Sequence, residues 1–89
     1  MSVKGNIAAT AVSVGTSAVL LVDGTSSRNN LIVQNNHASQ TLYVGPAGVD
    51  TTTGMKVIAG ASIGLPEYIG PLYGIASGAA TDTRVVETF

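Results

Sequence analysis

The apolar residues of this chain fall in short runs of Val, Ile, Leu, Thr and Tyr, each closed by Gly, Asn, Asp, Ser or Pro. No window sustains the i, i+3, i+4, i+7 spacing of an amphipathic helix, and the glycines recur too evenly for long helices. Short β-rich runs bounded by turn residues are instead the pattern of strands. They predict eight, over residues 8–14, 18–22, 30–35, 41–45, 55–58, 61–65, 72–77 and 82–88. Such strands at regular spacing indicate an all-β fold, a small antiparallel β-sandwich or jelly-roll-like barrel with no substantial helix.

Side-chain alternation assigns part of the facing. In "TAVSV", Val12 and Val14 share one face and Ala11 and Ser13 the other. Leu31 and Val33, with Leu42 and Val44, form the expected core-facing set. "AVLLV" and "LIV" are apolar on both faces, so they belong to central strands or to strands whose outer face a neighbouring subunit covers. Residues 30–35 and 41–45 read as a strand pair linked by "NHASQ", with Asn35 and Asn36 supplying turn geometry. "GMKVIAGASIGLP" reads as a tight hairpin through Ala59-Gly60 and "LYGIASGAATDTRVVE" as a hairpin closed around residues 78–81. Pro46, Pro66 and Pro71 lie outside the expected strands, as a missing ladder donor requires. Leu-Tyr occurs at Leu42-Tyr43 and at Leu72-Tyr73, which two strands of similar chemistry explain without a duplication.

Composition narrows the function classes. Eighty-nine residues make one domain, expected over residues 8–89 with an N-terminal arm over 1–7. Charged residues are 10% of the chain and hydrophobic residues 45%, against about a quarter charged in an average domain. A surface covered by Ser, Thr, Asn, Gly and Ala self-associates readily, so part of it is expected to be covered by further copies or by a larger assembly. The four basic residues stand singly, which argues against direct nucleic-acid binding. The stretch after Lys4 is interrupted by Asn6, Thr10, Ser13, Gly15 and Ser17, so it reads as mature sequence rather than a signal peptide, and no run suits a membrane span.

Candidate chemistry is sparse. "GASIG" matches a nucleophile elbow in letters, but no helix is expected after Ser62 and His37, the sole histidine, precedes it in the chain. Ser62 and Gly64 fit better in a strand packed closely on a neighbour. His37 has only Asn35, Asn36, Ala38 and Ser39 beside it, too few convergent ligands for a metal. Asp23-Gly24 and Asp50 read as turn formers. Catalytic, cofactor and metal sites are therefore expected to be absent, with no cofactor, and an enzyme is the least supported class. Of the tyrosines only Tyr68, beside Glu67 in "PEYIGP", is placed like a surface contact, for a protein interface or for a glycan.

The run from Arg28 to Glu87 resembles a pattern common in small bacteriophage structural proteins. It is carried by "RNNLIVQN", "LYVG", "TTTG", "AGASIGL" and "LYGIAS…RVVE". One departure is Ala61, where those chains frequently have an acidic residue. The resemblance implies a virion protein without catalytic residues, of the capsid decoration (cement) type, oligomeric and bound to the outer surface of the shell. A trimer is the implied form, its partner the major capsid protein or another virion protein. The competing readings are a head-fibre, collar or tail-associated component and a glycan-binding sandwich module. Expected assembly contacts are Ser2, Val3 and Lys4 in the arm, Asn36 and His37 in the "NHASQ" link, and Glu67 and Tyr68.

Overall fold

A computed structural model describes residues 5–89. It contains eight strands: β1 (Ile7–Val14), β2 (Val19–Val22), β3 (Asn30–Asn35), β4 (Leu42–Gly45), β5 (Met55–Val57), β6 (Ser62–Pro66), β7 (Leu72–Ala76) and β8 (Thr81–Thr88). They form two four-stranded antiparallel sheets, β1-β8-β3-β6 and β2-β7-β4-β5. The expected all-β sandwich is the fold, and the strand order makes it a jelly roll.

Each sheet turns one row of every strand inward. Leu31 and Val33 meet Leu42, Val44, Val57, Leu72 and Val85 in one core, together with Val14 and Leu21. Leu31, Val33 and Leu42 are fully covered and Val44 is 4% exposed. On β8, Thr81, Thr83 and Val85 alternate inward while Arg84 points out. The two Leu-Tyr pairs lie on neighbouring strands of one sheet, with leucine buried and tyrosine on the outer face.

The expected hairpins are not formed. The β3–β4, β5–β6 and β7–β8 links each cross from one sheet to the other, so the "NHASQ" strands are not paired with each other. Among consecutive strands only β4 and β5 are paired neighbours. A short polar link between two strands with one apolar row looks the same whether it folds back within a sheet or steps across the core. Here the rows of consecutive strands meet face to face instead of side by side. The turn at Gly60 is real, with φ of 80°, and Ala61 N–H donates to Ile58 O at 2.9 Å, but it joins opposing sheets. Pro66 is the last residue of β6, whose edge position tolerates the missing donor. Ser62 and Gly64 point outward and are exposed, contrary to the close packing expected of them.

Gly74 is the inward residue of β7 that makes room for Leu21, which sits at an irregularity in the β2–β7 ladder. A Cβ at Gly74 would lie 2.9 Å from Leu21 Cδ1. Gly74→Ala is expected to lower unfolding stability by about 1–3 kcal/mol through this overpacking. Urea unfolding measures it, and a variant as stable as the parent would mean that Leu21 re-seats without strain.

Candidate assembly surfaces

The cross-sheet links sort the loops to two ends of the sandwich. At one end the β3–β4, β5–β6 and β7–β8 links meet: Asn35 N–H donates to Ala61 O at 2.9 Å, Asn36 N–H to Asp82 O at 2.8 Å and Ser77 N–H to Thr41 O at 2.9 Å. At the other end the β2–β3 and β6–β7 links meet the chain's last residues. There Thr25 N–H donates to Ile69 O at 2.8 Å and Asn29 N–H to Thr88 O at 2.7 Å.

A buried polar side chain helps to tie each end. Arg28 has no exposed side-chain surface. Its Nε donates to Glu87 Oε2 at 2.9 Å, and its Nη1 donates to Tyr68 O at 3.1 Å and Gly70 O at 3.0 Å. Nη2 donates to Asp23 O. Arginine suits this position because its guanidinium carries five donors in a fixed fork. The fork binds the β2–β3 link, the β6–β7 link and β8 together. At the opposite end Asn35 is fully covered. Its Nδ2 donates to Gln40 O at 2.8 Å and Val57 O at 2.9 Å, and its Oδ1 accepts from His37 N–H at 3.0 Å.

The expected contact residues do not converge. Asn36 and His37 lie at the Asn35 end, and Glu67 and Tyr68 at the Arg28 end. Ser2, Val3 and Lys4 fall outside the described residues. Of the segment read as an arm, Gly5 and Asn6 exchange backbone hydrogen bonds with Phe89, and Ile7 already belongs to β1. His37 is half-buried, and its Nδ1 accepts the N–H groups of Ser39 and Gln40, both at 3.0 Å. That nitrogen stabilises its own turn. Tyr68 folds over Gly70 and donates its hydroxyl proton to Pro71 O, leaving 37% of the residue exposed. Glu67 is exposed and holds a left-handed backbone, φ 62°, while its N–H donates to Asn29 O at 2.6 Å. Among the described residues no three His, Cys, Asp or Glu groups lie together in a metal-holding arrangement.

Two exposed carboxylates are held well below the usual carboxylate range, to about 2 in both cases. For Asp50 the cause is four hydrogen bonds to one oxygen, from the hydroxyls and the N–H groups of Thr52 and Thr53. For Asp82 it is the hydrogen bond from Arg84, then that from Asn36. A carboxylate whose folded pKa is depressed stabilises the fold above its unfolded pKa and loses that contribution as pH falls through the folded one. The Asp50 turn and the Asp82 contacts with Arg84 and Asn36 should therefore keep their form down to pH of about 3. Carboxyl-carbon NMR titration is expected to give midpoints near 2; midpoints in the ordinary aspartate range would contradict these bonds.

The broadest surface is the outer face of the β1-β8-β3-β6 sheet. The strand registers align Ala9, Val86, Ile32 and Gly64 in one row across all four strands. The next row is Ala11, Arg84, Gln34 and Ser62. Ile32 is 44% and Ile7 69% exposed. The opposite outer face carries Tyr43, Lys56 and Ile75 in one row. Its far corner is roofed by the β4–β5 loop, where Val49, 4% exposed, sits over Gly45. An open cleft of about 410 Å³ lies where β1 and β2 part, lined by Thr10, Leu21, Asp23, Glu87 and Phe89 among others. Glu87 there is already engaged by Arg28.

No protein-family model matches the chain, and no curated protein sequence matches it. Its fold is similar to part of a crystal structure of the stem and receptor-binding domain of the spike protein P1 from bacteriophage PM2, with a TM-score of 0.65 and 13% sequence identity. The match covers 88% of this chain and 31% of that one, so this chain spans about a third of the spike structure's length. At this identity the likeness is one of fold.

Proposed function

We propose that this chain is a structural protein of a bacteriophage particle that attaches to the outer surface of the capsid as an oligomeric decoration protein and stabilises the shell. The observation that carries the proposal is the outer face of the β1-β8-β3-β6 sheet. Its central row is Ala9, Val86, Ile32 and Gly64, flanked by uncharged polar residues such as Ser13, Gln34 and Ser62, with only the Arg84–Asp82 pair for charge on those strands' outward rows. Such a face binds by area and fit rather than by a charged or catalytic group. Specific contacts of this kind bury on the order of 1,600 Å², and repeating them over an oligomer multiplies weak contacts into firm attachment. The fold likeness to a phage spike domain supports placement on a virion.

That likeness also favours a second reading, a spike, head-fibre or tail-associated module, because the similar structure is a stem and receptor-binding domain. Sedimentation of purified protein with emptied capsids separates the two. The decoration reading expects saturable co-sedimentation and raised resistance of the shell to heat or chelators. Binding to tails or spikes with none to capsids would overturn it in favour of the second reading. A glycan-binding module would instead give signals on a glycan array that Tyr68→Ala removes; a blank array excludes that reading.

A further inference from the structure

A sandwich of two four-stranded sheets has four edge strands, here β1 and β6 in one sheet and β2 and β5 in the other. Unpaired edges invite pairing with another chain, and proteins blunt them with prolines, charges, bulges or brevity. Three of these edges are blunted. β6 ends in Pro66 and contains Gly64. β5 has three residues, including Lys56. β2 has four residues and a break in register between Leu20 and Val22. The fourth edge is not. β1 is eight residues long, reads IAATAVSV without charge, proline or glycine, and pairs with β8 in unbroken register along its full length. Ile7, Ala9, Thr10, Ala11 and Ser13 are all exposed.

We infer that β1 is a self-association edge, which pairs antiparallel with β1 of a second copy of this chain and joins two sheets into one of eight strands. The occupant follows from the remaining edges. A ring of three copies needs two different complementary patches on each subunit, and every edge that could serve as the second is blunted. A two-fold pair needs only β1 itself, and an uncharged strand meets its own copy without repulsion. The register follows from facing and burial. A two-fold axis normal to the sheet places residues of the same parity opposite each other, which keeps the two outer faces continuous. Val14 is completely covered and leaves no room for a strand beside it. The pairing is then centred on Thr10, with Ala9 opposite the second copy's Ala11 and Ile7 opposite its Ser13. This inference goes beyond the proposed function and stands or falls separately from binding to a capsid.

Light scattering over a concentration series tests it, on a chain of 8.9 kDa. The parent protein is expected to approach twice that mass. The A9K/A11K variant, which sets lysine opposite lysine on an exposed row, is expected to remain at the monomer mass with an unchanged circular dichroism spectrum. A9E/A11K sets glutamate opposite lysine and is expected to dimerise again. Hydrogen exchange of the parent supplies a readout without any variant: β1 amides should gain protection on going from dilute to concentrated protein. A monomer at every concentration, a trimer, a dimer indifferent to A9K/A11K, failure of A9E/A11K to dimerise, or β1 exchange independent of concentration would each overturn the inference.

Discussion

Arg28→Ala is expected to be the most damaging single change in this protein. Its fork holds Glu87 and the carbonyls of Asp23, Tyr68 and Gly70 at once, with no exposed side-chain surface. Removing one partner of a buried ion pair costs about 3–5 kcal/mol, because the other charge stays buried without compensation. A domain of this size has roughly 4–13 kcal/mol of stability in all. The variant should therefore be largely unfolded at physiological temperature, or show a urea midpoint far below the parent. Arg28→Lys keeps the charge but not the planar fork and should fall between the two. The double change R28M/E87L decides which part of the network matters more. It removes both charges together, so it should recover the ion-pair penalty, yet stay about 2 kcal/mol below the parent because the carbonyls lose their donors. A single Arg28→Ala variant within about 0.5 kcal/mol of the parent would make this residue an ordinary surface arginine.

The second large effect is expected at Asn35. Alanine there leaves Gln40 O, Val57 O and His37 N–H without partners in a covered position, and each unsatisfied buried group costs about 1–3 kcal/mol. Relaxation of the β3–β4 turn recovers part of this, so about 2–4 kcal/mol is the expected loss. Asn35→Asp has the same shape and should be worse at neutral pH, since a buried carboxylate would face two carbonyl oxygens. Those oxygens and burial raise the folded pKa of the introduced aspartate above its unfolded value. The protonated form can donate as Nδ2 did, so the deficit should be smallest below the ordinary aspartate range and grow as pH rises. Denaturation at acid and neutral pH checks the sign. A deficit that grows toward acid would contradict the donor role assigned to Asn35 Nδ2.

These two residues also mark where the sequence stops being legible. All eight strands can be read from it, each boundary within a residue or so of the structure, because one buried face imposes alternation and turn residues close each run. Leu31, Val33, Leu42 and Val44 are legible as core for the same reason. Strand partners are not. "NHASQ" and "AGA" are good turn sequences, but turn chemistry does not say whether the next strand lies beside the last or opposite it, and both choices bury the same side chains. Arg28 was equally hidden: a lone arginine beside two asparagines reads as a solvated turn. Only the folding of two distant segments, the β6–β7 link and β8, around it converts it to a buried tie. Asn35 reads as a turn former and is one, binding Gln40 O within its own link, but its other acceptor, Val57 O, lies across the core.

The same reasoning explains why candidate contact residues scatter. Asn36, His37, Glu67 and Tyr68 are polar or aromatic side chains in loops, and loops of this topology gather at both ends. The surfaces that the fold presents broadly are instead made of strand residues. The row Ala9, Val86, Ile32 and Gly64 draws on four strands far apart in the chain, and it becomes visible only with the register. Small side chains carry no chemical signature, so no motif marks them.

The proposed role of this protein is to cover and join surfaces on a phage particle. The most direct measurement is a cryo-electron-microscopy reconstruction of intact particles of the phage that encodes the chain. The expected result is ordered jelly-roll density in multiple copies on the outside of the shell, with the β1-β8-β3-β6 sheet in contact with capsid protein or with another copy. Particles that lack the protein, or that carry it only inside the shell, would contradict the account.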